Sequence, residues 1–227
     1  MGDVEVLGRR VRRPIWLGSL RRTTPIDGNW GFDRGQPIDR YFIEAFLERH
    51  SADVRGACLE TGSGRYTERF GSGVTSADVL DVDAALPGTT IVADLTDAGS
   101  VPSDRFDCFL LTQTLQFVRD VRAALWEAHR VLRSGGVLLV TAPALSKIDR
   151  RGGPEGDLWR FTHAGLTALL DETFGPGRVD VQAYGNVLTA VAFLMGLACD
   201  DLSSHELDYH DEDFPVLVAA RAVKTPA

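Results

Sequence analysis

At 227 residues, with 44% hydrophobic and 25% charged residues, the chain has the size and composition of one ordinary domain, which sets aside disorder and fibrous folds. A net charge of -8 argues against nucleic acid as a partner. No apolar run reaches the roughly 20 residues of a membrane span, and the first residues lack the apolar core of a secretory signal, so a cytoplasmic location is expected.

Residues 1–36 are rich in Arg, Gly, Thr and Pro with little periodicity and read as a basic N-terminal arm ahead of one domain over 37–227. Arg9, Arg10, Arg12, Arg13, Arg21 and Arg22 lie in a stretch without acids, whereas 200–213 is strongly acidic. Either both are solvated, or the arm meets a phosphorylated substrate or closes against the acidic segment. From Pro37 the pattern turns helical, with Tyr41, Phe42, Ala45 and Phe46 on one face. Short apolar runs then predict strands at 57–60, 77–82, 90–93, 106–112, 136–142, 179–183 and 216–222. Their alternation with helical or turn segments predicts a parallel sheet built through right-handed crossovers.

A helix over 121–132 turns Ala124, Leu125, Ala128, Val131 and Leu132 inward and is expected to close at Ser134-Gly135-Gly136. A second, over 163–174, has Thr162 to cap its start and Gly175 past its end. The segment 186–197 is too apolar for a loop and reads as an extra buried helix. Cys58, Cys108 and Cys199 are odd in number and far apart, which favours buried free thiols over a disulfide.

The strongest local signal is Ala57-Cys58-Leu59-Glu60-Thr61-Gly62-Ser63-Gly64, an apolar strand running into an acid and a G-x-G turn. In a doubly wound sheet such a turn lets the backbone approach a ligand at the carboxyl edge. The next strand ends in Val79-Leu80-Asp81-Val82-Asp83, placing Asp83 about 20 residues on, where a carboxylate can accept ribose hydroxyls. The third ends in Val92-Ala93-Asp94-Leu95, offering a carboxylate and an apolar face to a base. Together these support a nucleoside cofactor.

With these residues, the chain resembles the class I methyltransferases, type-11 group. The resemblance rests on Leu59-Glu60-x-Gly62-x-Gly64, Asp83, Asp94-Leu95, Phe106-Asp107, Thr112-Gln113-Thr114-Leu115-Gln116, and the run from Ala124-Leu125 through Arg130-Val131-Leu132 to Gly135-Gly136 and Pro143. It implies a Rossmann-like α/β fold with a seven-stranded, mostly parallel sheet, the last strand antiparallel and helices on both faces. It also implies S-adenosyl-L-methionine as cofactor and a small-molecule methyl acceptor. By carry-over Glu60, Gly62 and Gly64 would border the methionine half, Asp83 the ribose and Asp94 with Leu95 the adenine. Gln113 would lie beneath the methionine end. The segments Asp33-Arg34-Gly35, Pro37-Ile38-Asp39-Arg40-Tyr41, Gly156-Asp157-x-Trp159-Arg160-Phe161-Thr162 and Glu206-Leu207-Asp208-Tyr209-His210 resemble a subgroup associated with sugar or natural-product pathways.

Tyr66 replaces a third glycine and is expected to form a wall; the helix between the second and third strands has shrunk to 84–88; and Phe117 stands where relatives carry a histidine. A base for a hydroxyl acceptor must then come from the loops over the sheet edge, and His210 and His163 are the first candidates. Asp208 or Asp211 would orient His210. Trp159, Arg160 and Tyr209 are candidates for binding the acceptor. Asp208, His210, Asp211 and Asp213 read as an exposed turn, and no metal is expected. The missing histidine also permits a protein that uses the cofactor in a non-methylating cyclisation or elimination, or a silent binding subunit. The oligomeric state stays open, a homodimer included.

Overall fold

The structure, a computed structural model, describes residues 18–151, 153 and 156–225, so Arg9, Arg10, Arg12 and Arg13 lie outside the described residues. Seven strands, β1 (Gly56–Thr61), β2 (Val74–Asp81), β3 (Ile91–Val92), β4 (Phe106–Thr112), β5 (Leu132–Pro143), β6 (Val179–Tyr184) and β7 (Leu217–Val223), form one sheet in the order 3-2-1-4-5-7-6. The first five pair in parallel, and β7 runs antiparallel between β5 and β6. This is the expected Rossmann-like arrangement, and the order reverses beside β1, so β1 and β4 lead away to opposite sides.

Both faces of the central strands are covered, which is why they read as unbroken apolar runs rather than alternating ones. Leu59, Phe109, Leu111, Leu138 and Val140 point to the face packed by α3 (Val121–Val131) and α4 (His163–Phe174). Cys58, Cys108, Leu110, Val137 and Leu139 point to the other, under α1 (Ile38–Arg49), α2 (Arg65–Phe70) and α5 (Val187–Met195). Cys58 and Cys108 are buried free thiols, as expected, while Cys199 is half-buried. Thr162 caps α4 by accepting the Gly165 N–H at 3.0 Å. Among the described residues no helix is long and apolar enough to cross a membrane.

Three expectations change. Helix α3 does not close on glycine: it ends at Val131, and Leu132 is already extended and paired with Phe106. Gly135 and Gly136 instead absorb the irregularity before Val137 pairs with Cys108; a Cβ on Gly136 would meet the Arg133 carbonyl oxygen at 2.9 Å. Helix α5 is only half-buried: Thr189, Ala192 and Phe193 face inward, while Val187, Leu188, Val191 and Leu194 are exposed. The acidic segment is not all turn, because Ser203 and Glu206 form a reciprocal capping box that opens α6 (Ser204–Asp208).

The described part of the arm, 18–36, is strapped to the domain. Ile26 and Asp27 N–H groups donate to the Met195 carbonyl at 2.7 and 3.3 Å, and Trp30 Nε1 donates to Ser146 Oγ at 3.1 Å. Closure against the acidic segment is made by Arg34, whose guanidinium forks onto Asp201 at 2.9 and 2.5 Å, and not by Arg21 or Arg22. That fork holds the Asp201 carboxyl down to about 2. A depressed carboxylate stabilises above its ordinary pKa and ceases to do so as pH falls through the folded value. Trp30 fluorescence is therefore expected to report loosening of the strap between about pH 4 and pH 2, and Arg34→Gln should abolish that acid transition.

Candidate functional site

Strand β1 ends in the turn that builds the site. Glu60 is 1% exposed, and its two carboxylate oxygens accept the N–H groups of Tyr66 (3.2 Å) and Thr67 (2.7 Å), the first free amides of α2. The chain between them turns through Gly62 (φ +92°) and Gly64 (φ +68°), conformations that suit glycine. A Cβ on Gly64 would press on Val79, whereas one on Gly62 would meet nothing within 4 Å, because Gly62 borders open space.

That space is a cavity of about 770 Å³ at the carboxyl edge of the parallel strands, within the usual range for small-molecule clefts. Glu60, Gly62 and Tyr66 line it from the β1 turn, Asp81 and Val82 from β2, Asp94 and Leu95 from β3, and Gln113 and Phe117 from the segment after β4. Tyr66 is the expected wall: it is 2% exposed, and its hydroxyl accepts from Arg40 Nη1 at 2.8 Å. Asp94 accepts both the main-chain N–H (2.8 Å) and hydroxyl (2.7 Å) of Thr96, which lowers its pKa.

Of the expected cofactor residues, Glu60, Gly62, Asp94, Leu95 and Gln113 reach the cavity wall, and Gly64 shapes the turn behind it. Asp83 does not line the cavity; Asp81 does. Strand β2 stops at Asp81, one residue short of the predicted end, and Asp83 folds into an exposed turn where its carboxylate accepts the Ala85 N–H at 2.8 Å. Spacing alone does not separate two acids set two residues apart at a strand end.

A second, smaller cavity of about 110 Å³ adjoins the first, sharing Arg40, Gln113 and Phe117. Trp30 and Phe32 of the strap, Asp39 of α1, Gln116, and Lys147, Asp149, Arg151 and Asp157 after β5 complete it. Gln113 stands at the junction in the left-handed region (φ +49°), its carbonyl accepting Gln116 Nε2 at 2.9 Å. Arg151 is paired with Asp149 and Arg160 with Asp157. Among the described residues, Arg40 and Lys147 pair with no carboxylate; Lys147 sits 3.6 Å over the Trp30 ring.

Neither expected base lines either cavity. His163 Nε2 lies 3.0 Å from the Val181 carbonyl, joining α4 to β6. His210 is wedged edge-on between Phe42 and Tyr184, and its Nδ1 accepts the Gly185 N–H at 3.3 Å; burial lowers its pKa. Asp208 does not orient it, since its carboxylate accepts the Tyr41 hydroxyl at 2.5 Å, pushing Tyr41 up to about 12. Trp159 donates to the Val118 carbonyl at 2.9 Å, Arg160 ties Asp157 to the Lys147 carbonyl, and Tyr209 is 61% exposed; none of the three lines the cavities. Sequence reasoning missed Arg40, Gln116 and Lys147 as site residues.

The comparisons agree with this geometry. Residues 59–140 match the family described as "Methyltransferase domain". Fold and glycine turn are those of the class I S-adenosylmethionine-dependent methyltransferases, and the family match covers the stretch from the end of β1 into β5. An uncharacterized protein of Methanocaldococcus jannaschii is 29% identical over 111 residues, 48% of this chain; the chain spans about half (54%) of that relative. A SAM-dependent methyltransferase structure from Archaeoglobus fulgidus superposes with TM-score 0.54 at 15% identity, over 82% of this chain and 94% of the other. The [4+2]-cyclase SpnF gives TM-score 0.55 at 16% identity, over 82% of each chain. These structural likenesses show the fold.

Proposed function

We propose that the chain transfers the methyl group of S-adenosylmethionine to a hydroxyl of a small molecule held in the second cavity. The observation that carries this reading is the junction: two cavities, one edged by a glycine turn and two strand-end acids, meet at Arg40, Gln113 and Phe117. The residues fit the cofactor. Gly62 leaves backbone room, Arg40 presents a guanidinium without a carboxylate partner among the described residues, and Asp81 and Asp94 supply acceptors. In this assignment Glu60, Gly62, Gly64 and Arg40 hold the methionine half, Asp81 the ribose, and Asp94 with Leu95 the adenine.

When bound, S-adenosylmethionine supplies an electrophilic methyl group on a sulfonium. The protein's own contribution is to align the two partners across the junction and to exclude water from it, with Phe117 as an apolar wall. SpnF is a cyclase on the same fold, and Phe117 leaves the usual histidine position without a base, so a non-methylating reaction is the second reading. Labelled methyl incorporation into product separates the two.

Calorimetry is expected to show S-adenosylhomocysteine binding and no binding of NAD. Asp81→Ala should weaken the first by about 10- to 100-fold, the effect of losing hydrogen bonds to a charged acceptor. Asp83→Ala should change it by less than about threefold. The reverse ranking would show that Asp83 turns into the cavity on binding.

A further inference from the structure

We infer that the second cavity is the acceptor site for a small phenol or alcohol, and that Asp39 takes the proton of its hydroxyl while Gln116 Oε1 orients it. This rests on the methyl-transfer reading above and goes beyond it by naming the base and the group that orients the acceptor.

The first observation is Gln116. It is 6% exposed, its Nε2 is used on Gln113 at 2.9 and 3.2 Å, and its Oε1 is buried with no hydrogen-bond partner among the described residues. A buried carbonyl left unpaired is costly, and it accepts only hydrogen. Gln116 lines the second cavity, which therefore suits a ligand that donates one.

The second observation is Asp39, on the same cavity wall. One of its oxygens accepts the Arg40 N–H at 2.9 Å, and no described side chain bonds the other. The other two carboxylates there are neutralised, Asp149 by Arg151 and Asp157 by Arg160. Asp39 is thus the carboxylate left to receive a proton. Burial raises its pKa, which moves it toward the range useful for a base near neutral pH.

The charges around it suit the product of that step. Arg40 on its own helix, Lys147 and Arg151 after β5 face the cavity with Asp149 and Asp157, and Cys199 lies close enough for Asp39 to raise its pKa. Arg40 and Lys147 have no carboxylate partner among the described residues, so they favour negative charge developing on an acceptor oxygen. The acceptor O–H proton passes to Asp39 and on to water, the oxygen forms the new C–O bond, and the C–S bond breaks with its electron pair staying on sulfur. Phe32 and Phe117, both part-exposed at this cavity, supply flat apolar walls for a ring.

The test uses the full chain saturated with S-adenosylhomocysteine and two matched probe pairs, phenol with anisole and benzyl alcohol with benzyl methyl ether. Trp30 fluorescence or calorimetry is expected to show the hydroxyl probes binding at least tenfold tighter than their ethers. Asp39→Asn, which keeps the side-chain shape, should reduce that preference to less than threefold while leaving S-adenosylhomocysteine affinity within threefold. In the wild type the preference should fall with acid, at a pH above the ordinary carboxylate range, because Asp39 is protonated early. Equal binding of alcohols and ethers, no binding of either alcohol, or a preference that survives Asp39→Asn overturns the inference. Failure of S-adenosylhomocysteine to bind the wild type would instead retire the methyl-transfer reading itself.

Discussion

Glu60→Ala is expected to abolish measurable S-adenosylhomocysteine binding and to lower stability by about 3 kcal/mol, as two charge-assisted hydrogen bonds to buried N–H groups are lost. The carboxylate is 1% exposed and spans the glycine turn, holding Tyr66 at 3.2 Å and Thr67 at 2.7 Å. Without it, two amides at the start of a six-residue helix lose their acceptors, and a helix that short does not stand without its cap. Tyr66 would then cease to position Arg40, so both the turn and the guanidinium beside it are lost together. Glu60→Gln keeps one acceptor and should lose about half as much. For a chain of this size the alanine variant should melt roughly 6–12 °C lower. Unchanged melting with cofactor affinity within threefold would mean that the turn is held by other contacts.

How much of this was legible depended on whether the determinant was local. Strands β1 and β4 and helix α4 could be read because apolar runs, the G-x-G turn and the Thr162 cap are signals carried by neighbouring residues. The capping box of α6 was equally local, in Ser203 and Glu206, but lay inside a run of acids whose charge suggested a turn. The spacing that points to Asp83 does not say where β2 stops pairing, at Asp81; β3, its partner, is only two residues long. His210 in a loop and His163 at the start of a helix are both titratable residues near the sheet edge, yet a sequence does not say which side of that edge the chain returns on. The second cavity was beyond reach for a similar reason. Trp30 and Ser146 are 116 residues apart, and Lys147 reaches Trp30 only once the strap is docked. A trace of Arg40 was visible: Asp39 and Arg40 are charged residues set between Ile38 and Phe42, two positions that the fold buries completely.

The docking of that strap makes the final prediction. Gly196 ends α5 at φ +73°, and a Cβ there would collide with the main-chain oxygen of Asp27. Gly196→Ala therefore incurs the left-handed cost of roughly 1–2 kcal/mol and forces the strap away from the helix end. Ile26 and Asp27 would lose the Met195 carbonyl, and Trp30 would be drawn off Lys147 and Ser146. Gly177→Ala is the control, since Gly177 has φ +78° and an added Cβ would meet nothing within 4 Å, so it carries the conformational cost alone. We expect Gly196→Ala to red-shift Trp30 emission and to speed proteolysis within 20–36 by at least tenfold, with Gly177→Ala unchanged in both. Because the Glu60 turn, Asp81 and Asp94 stand at the carboxyl ends of β1, β2 and β3, cofactor affinity should stay within threefold, while selection between hydroxyl and ether probes is lost with the wall that Trp30 and Phe32 provide. Loss of cofactor affinity equal to the loss of probe selection would show that the strap supports both cavities and that the second is not a separate acceptor site.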